Sequence, residues 1–344
     1  MKAAVLEELN KLVVKEVPTP QITDDEVLVR VRACAICGSD IRIYHSGNDR
    51  VKTPWIIGHE IAGEITEVGK NVTRFKAGDR IAIGADIPCG ECKFCVSGFS
   101  NNCQINYATG YQYQGGFAEY MPLSKMMLTY GPVQIIKDSV SFDEAALAEP
   151  LGCVLNGLEL SDIKLGQTVV IIGTGPIGCM IIEIAKMMGA TKIIVIDLSK
   201  DRLEMAKEFS ADVFIASSEE DAVARVLEET DGMGADVVIT ACPSTAAQVD
   251  ALKMAKNRGR VNFFGGLPHG STITIDSNII HYKELFVHGT HGSLVRHHIK
   301  AVELISSGKM DMKKFISHKL PLDKILDGIA IAENKSGRRV IINP

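Results

Sequence analysis

The stretch VVIIGTGPIGCM, residues 169–180, sets Gly173-x-Gly175-x-x-Gly178 directly behind a run of four β-branched residues. A short apolar run of this kind reads as a buried strand. Beyond it Ile177, Met180, Ile181, Ile184, Ala185 and Met188 fall on one helical stripe, so a helix opens around Pro176. Strand, glycine turn and helix together make a pyrophosphate cradle. Gly173 permits the tight turn, Gly175 lets the backbone approach the phosphates, and Gly178 allows close helix–strand packing. Unpaired N–H groups at the helix N-terminus favour the anion. The following strand, KIIVID, ends on Asp197, nineteen residues after Gly178. A carboxylate there accepts hydrogen bonds from ribose hydroxyls and repels a 2′-phosphate, which favours NAD over NADP. Arg202 is the nearby group that speaks for the extra phosphate. The bland alternative is a glycine-rich turn in some other α/β sheet.

Working outward, the region from about 151 to 284 alternates strands with helices. After KIIVID come the helix SKDRLEMAKEFS and the strands DVFIA, ADVVITAC and RVNFFGG. Strands separated by helices predict an α/β, doubly wound parallel sheet. The first 110 or so residues read differently. EVLVRVRACAIC places Val27, Val29 and Val31 on one face at the period of a half-buried strand, and GHEIAGEITEVG and AGDRIAIG are similar. No long helix is expected before about residue 140. The tail from HIKAVELISSGKM reads as helices and a closing strand, RRVIINP. The 344 residues suit two domains.

Hydrophobic residues make up 46% and charged residues 23%, with a formal net charge of −5 and no basic run, which argues against nucleic-acid binding. No apolar run is long enough to span a bilayer. The N-terminus MKAAVLEELNKLVVKEV does not resemble a signal peptide, so a cytoplasmic protein is expected. Clustered cysteines in a reducing compartment read first as metal ligands. Cys89, Cys92, Cys95 and Cys103 offer four thiolates from one short loop. An all-cysteine zinc site is closed to substrate and therefore structural. An iron–sulfur cluster and a reactive dithiol are the alternatives. Cys37, His59, Glu60 and Glu149 are individually unremarkable. In this order, upstream of a nucleotide fold, they resemble a catalytic zinc site with an open position.

These pieces resemble the zinc-dependent medium-chain dehydrogenase/reductase superfamily over essentially the whole chain. The matching motifs are CGSD (37–40), GHEIAGE (58–64), AGDR (77–80), the four-cysteine lobe, GGFAEY (115–120), LAEPLGC (147–153) and GTGPIG (173–178). The resemblance implies a chaperonin-10-like (GroES-like), β-rich catalytic domain at 1–150 and 285–344, carrying a structural-zinc lobe at 86–105. A Rossmann NAD-binding domain at 151–284 interrupts it. The nearer match is to sorbitol (L-iditol) and other polyol dehydrogenases and to threonine dehydrogenase, because Glu149 stands where typical alcohol dehydrogenases have a second cysteine ligand. By that resemblance Cys37, His59 and Glu60 ligate the catalytic zinc, and Glu149 ligates it directly or through water, exchanging with Glu60. Cofactor contacts carry over to Ile177, Asp197, Arg202, Phe264, Gly265, Gly266, Gly289, Thr290 and His291. Ser39 matches the first hydroxyl of a proton relay. A small polyol is the implied substrate, L-threonine or a phosphorylated polyol the alternative, and a homotetramer the implied assembly. A non-catalytic zinc module binding other macromolecules is the reading from a different class.

One position departs from the family pattern. Arg42 stands where many members have the relay histidine, and it cannot act as a base. His45, three residues on, is the alternative. The histidines in RHH (296–298) read as a solvated helix start, and Cys34, Cys153, Cys179 and Cys242 as packing residues.

Overall fold

The computed structural model describes residues 1–344. The chain forms two compact units, Met1–Cys153 with Gly292–Pro344, and Val154–His291.

The first unit is built on a seven-stranded sheet and a three-stranded one. At the centre of the larger sheet, Val27–Ala35 pairs antiparallel with Glu60–Val68 on one side and with Arg339–Asn343 on the other. Val27, Val29 and Val31 are buried while Arg30 and Arg32 are exposed, the alternation that the sequence predicts. The C-terminal strand thus closes the sheet begun more than 300 residues earlier. A core of Ile61, Ile65, Ile81, Ile83, Phe117 and Met121 fills one face.

One helix in this unit was not expected. Gly38–Ser46 follows the central strand, although only Asp40 and Ile43 of it are buried. It has no apolar stripe to announce it. It starts because Asp40 Oδ2 accepts the Cys37 backbone N–H at 2.9 Å, which occupies a donor that would otherwise be orphaned.

The second unit is a six-stranded parallel sheet in the order Val213–Ala216, Lys192–Asp197, Thr168–Ile172, Ala235–Thr240, Ala255–Phe263, Phe286–Gly289. The doubly wound expectation is borne out. The helix Pro176–Met187 buries Met180, Ile181, Ile184 and Ala185, but also Cys179 and Ile182, so its apolar surface is wider than the single stripe. Phe286–Gly289 pairs with Ala255–Phe263, which holds the chain in this unit until His291 rather than releasing it at 284. No helix is long and apolar enough to cross a membrane.

Candidate active site

His59 immediately precedes the strand Glu60–Val68, and Cys37 immediately precedes the helix Gly38–Ser46. Their positions bring the Cys37 sulfur, a His59 ring nitrogen and a Glu60 carboxylate oxygen within 4.8 Å of one another. His59, Glu60 and Glu149 are all buried. Glu149 sits in the first turn of Ala148–Ser161 and completes the electrostatic neighbourhood of Cys37, His59 and Glu60.

Asp40 was absent from the sequence-derived set although it lies within the CGSD motif. Its Oδ1 is 3.1 Å from His59 Nδ1, and it is almost fully buried. A carboxylate only accepts, so Nδ1 carries a proton and Nε2 is the atom left for a ligand bond. Ser39 Oγ lies 3.2 Å from that Nε2, and the Tyr111 ring centroid is 6.0 Å from that of His59. Burial favours the neutral His59 ring, yet the charges of Asp40 and Cys37 outweigh it and raise the pKa well above the usual value. Burial likewise opposes the Cys37 thiolate, but His59 and Arg339 bring the thiol down to about 5. The metal-free pair is a thiolate beside an imidazolium, so metal binding at Nε2 must release a proton.

Glu60 is fully buried, and neither of its oxygens makes a hydrogen bond. Arg339 Nη1 approaches Oε1 at 3.0 Å, a charge contact whose angle is too poor for a hydrogen bond, and it donates to the Ile36 carbonyl instead. Burial, with Cys37 and Glu149 nearby, raises the Glu60 pKa well above the usual carboxylate range despite Arg339. Burial also pushes Glu149 up to about 7. Two buried carboxylates, one of them with both oxygens unpartnered, beside a thiolate and an imidazole nitrogen suit a divalent cation. Cys153 was read as packing, but one helical turn after Glu149 its sulfur donates to Glu149 Oε1 at 3.6 Å. An i, i+4 spacing on a helix was the signal.

The relay alternatives fare differently. Arg42 is exposed. His45 has both ring nitrogens engaged, by Asn10 and Glu333, so it is not free to take over a proton from Ser39. His297 and His298 are buried, not solvated, and both nitrogens of His298 are without partners.

The four lobe cysteines also converge. Cys89–Cys95, Cys92–Cys95 and Cys92–Cys103 sulfurs are 3.9, 3.5 and 4.0 Å apart, and all nine cysteines are free thiols. Four sulfurs about 2.3 Å from one zinc ion would form a tetrahedron with edges of about 3.8 Å. The spacing leaves room for one ion and is far too long for disulfides.

In the second unit, Gly173 has φ of +106°, and a Cβ on Gly178 would come within 1.9 Å of the Gly173 carbonyl oxygen. The tight turn and the close packing are thus both met by glycine alone. Asp197 Oδ2 accepts from Thr174 N and Oγ1 at 2.8 and 3.0 Å, and Oδ1 from Ser199 N at 2.9 Å. The Arg202 guanidinium lies over Gly175. Phe264–Gly266 and Thr290–His291 follow the carboxyl ends of their strands, the same sheet edge as the glycine turn. Ligands of open α/β sheets bind at that edge.

Family models for the alcohol dehydrogenase GroES-like domain and for zinc-binding dehydrogenases match residues 23–132 and 176–307. The chain is 34% identical to a sorbitol dehydrogenase of Bacillus subtilis, covering 96% of this chain and 92% of that one. It belongs to the zinc-type medium-chain dehydrogenases. This dehydrogenase is also 33% identical to an L-threonine 3-dehydrogenase of Bacillus licheniformis, over 95% of this chain and 94% of the other. Among solved structures, a zinc-binding dehydrogenase from Sinorhizobium meliloti bound to NADP superposes with a TM-score of 0.93 at 31% identity, covering 100% and 99% of the two chains. The dehydrogenase is therefore an oxidoreductase that uses zinc and a nicotinamide nucleotide.

Within its first unit, the Asp40–His59 contact makes a sharp expectation. Asp40→Asn should weaken zinc binding at this site by about 10–100-fold, measured by competition with a chelator. Unchanged affinity would separate Asp40 from metal binding.

Proposed function

We propose that the dehydrogenase oxidises a secondary hydroxyl of a small polyol of the sorbitol or L-iditol type, with NAD taking the hydride. The observation that carries this reading is the convergence of half-buried Cys37 with buried His59 and Glu60, both of whose carboxylate oxygens are orphaned. In this reading Cys37, His59, Glu60 and Glu149 hold the catalytic zinc, and Cys89, Cys92, Cys95 and Cys103 the structural one. Zinc at the first site supplies Lewis acidity that lowers the pKa of an alcohol. NAD, held at Gly173–Gly178, Asp197 and the 264–266 and 289–291 segments, supplies the hydride acceptor. The chain's own residues do the rest. Asp40 fixes the His59 ring, and Ser39 Oγ, between His59 and Tyr111, takes the hydroxyl proton and passes it on toward solvent.

L-threonine and phosphorylated polyols undergo the same C–H and O–H cleavage, and relatives named for sorbitol and for L-threonine are equally near. A panel of polyols, L-threonine and sugar-alcohol phosphates, read as NADH absorbance beside elemental analysis, tests the reading. Two zinc ions per chain and NADH formation support it. One zinc and no NADH with any alcohol would leave a non-catalytic zinc protein.

Asp197 supports NAD over NADP, since a 2′-phosphate would meet its carboxylate. Asp197→Ala is expected to lower the NAD/NADP ratio of kcat/KM by about 10–100-fold. An unmoved ratio would transfer the discrimination to other groups. The nine free cysteines support a reducing compartment, and we place the dehydrogenase in the cytoplasm. The edge strand Phe286–Gly289 has one unpaired side, which suits the homotetramer expected from the family.

A further inference from the structure

Two arginines lie close to the site in the first unit, and their situations are opposite. Arg339 has Glu60 beside it. Arg50 is half-buried and has no carboxylate within ion-pair distance. Its Nη2 donates to the Asn106 carbonyl at 2.6 Å and to Gln112 Oε1 at 3.3 Å, both neutral acceptors. Its Nε is buried without a partner. A charge withdrawn from water in this way costs free energy unless an opposite charge meets it.

The position of this cation matters. Its Cζ stacks 4.6 Å from the Tyr111 ring centroid. The same ring lies 6.0 Å from that of His59, whose Nε2 is 3.2 Å from Ser39 Oγ. Arg50 is thus one aromatic ring away from the groups proposed to receive the reacting hydroxyl. Other cations suggested by the sequence are badly placed, because Arg42 is exposed and His297 and His298 are buried.

The geometry points to Arg50 as the residue that recognises an anionic group, a phosphate or a carboxylate, carried by the substrate away from the oxidised hydroxyl. This rests on the reading of Cys37, His59 and Ser39 as the hydroxyl-binding end. A guanidinium fork matches both oxyanions, and Tyr111 fixes its plane. The substrate then completes the half-buried charge, and neutral polyols bind without that gain.

Matched pairs test the inference: sorbitol against sorbitol 6-phosphate, and L-threonine amide against L-threonine, with zinc- and NAD-loaded protein. Calorimetry reads binding and absorbance reads NADH. The natural chain should favour an anionic member by about 100-fold in Kd and KM, with kcat moved less, and the pair that shows it distinguishes phosphate from carboxylate. Arg50→Gln should remove most of that preference. Arg50→Lys, which keeps the charge but not the fork, should retain about tenfold of it and decides the matter if the glutamine variant does not fold. No anion preference in the natural chain, a preference that survives Arg50→Gln, or a folded Arg50→Lys protein without any preference overturns the inference. Arg50-dependent anion binding without NADH formation upholds it while sinking the oxidation reading. Oxidation of both members of each pair alike does the reverse.

Discussion

Exchanging Glu149 for glutamine should cut turnover of the zinc-loaded dehydrogenase by about 10²–10³-fold while making the zinc-free protein more stable at pH 8. The two effects have one cause. Without metal, the Glu149 carboxyl is buried beside Cys37 and Asp86 charges, and its pKa stands at about 7 against an ordinary 4.5. Between those values the unfolded chain binds fewer protons than the folded one, so stability falls as pH rises. The penalty is absent near pH 4.5 and complete above pH 7, where it reaches about 3 kcal/mol at most. Glutamine carries no charge at any pH. Its gain in melting temperature should therefore appear at pH 8 and vanish below about pH 4.5, whereas the loss of turnover persists wherever the natural enzyme works. Equal melting temperatures at pH 8, or full turnover in the variant, would remove Glu149 from the site.

Glu60 shares the direction of that shift, since burial holds its pKa well above the usual carboxylate range, but it also has a cationic neighbour. That neighbour, Arg339, is itself buried and donates to the Ile36 carbonyl, with Cys37 and Glu149 also acting on its charge. Glu60→Gln removes the burial penalty on that carboxyl at high pH but also its charge contact with Arg339, which keeps Cys37 and Glu149 as neighbouring acids. After chelation at pH 8 the gain in melting temperature should therefore be smaller for Glu60→Gln than for Glu149→Gln, read by thermal unfolding; a larger gain for Glu60→Gln would show that the Arg339 contact contributes nothing.

The difference between these carboxylates also marks where sequence reading stops. The parallel sheet was legible because its information is local: each apolar run, the glycine turn and the helical stripe can be read within its own short segment. The four lobe cysteines were legible for the same reason. Cys37, His59 and Glu149 could be grouped only through their order and a family resemblance, since nothing in spacing alone brings positions 37 and 149 together. The Arg339–Glu60 contact spans 279 residues and has no sequence signal. The helix Gly38–Ser46 escaped because a nine-residue segment with two buried side chains has no periodicity to detect. His297 and His298 were misread because polar residues at a helix start are usually solvated. Here the ring of His298 is wedged against Gly84, where a Cβ would come within 3.0 Å of it.

The cysteine lobe carries the second large effect. Its short helix Lys93–Val96 buries no residue, and Val96 and Phe99 are more than half exposed, so the lobe has no apolar core of its own. What converges there is sulfur. The Cys92 thiol is brought down to about 6, chiefly by backbone N–H donors, whereas burial pushes Cys95 up to about 12. Four such groups cannot all be thiolates until a cation neutralises them, so zinc binding and lobe folding are one event. A four-thiolate zinc site is worth about 10–16 kcal/mol in apparent binding, roughly a quarter of it per ligand. Cys92→Ser should thus weaken zinc binding there by about 10²–10³-fold, leave one zinc per chain after dialysis, and open residues 86–105 to proteolysis. The damage should spread along two contacts: Asp86 Oδ2 accepts the Ser293 N–H at 2.9 Å, and Arg296 Nη1 donates to the Gly98 carbonyl at 3.3 Å. Both contacts tie the lobe to the segment by which the chain re-enters the first unit. Loss of zinc from the lobe should therefore raise hydrogen exchange at 292–297 as well as within 86–105. Exchange confined to the lobe would show that segment to be held by its own packing, and two retained zinc ions would refute the cage itself.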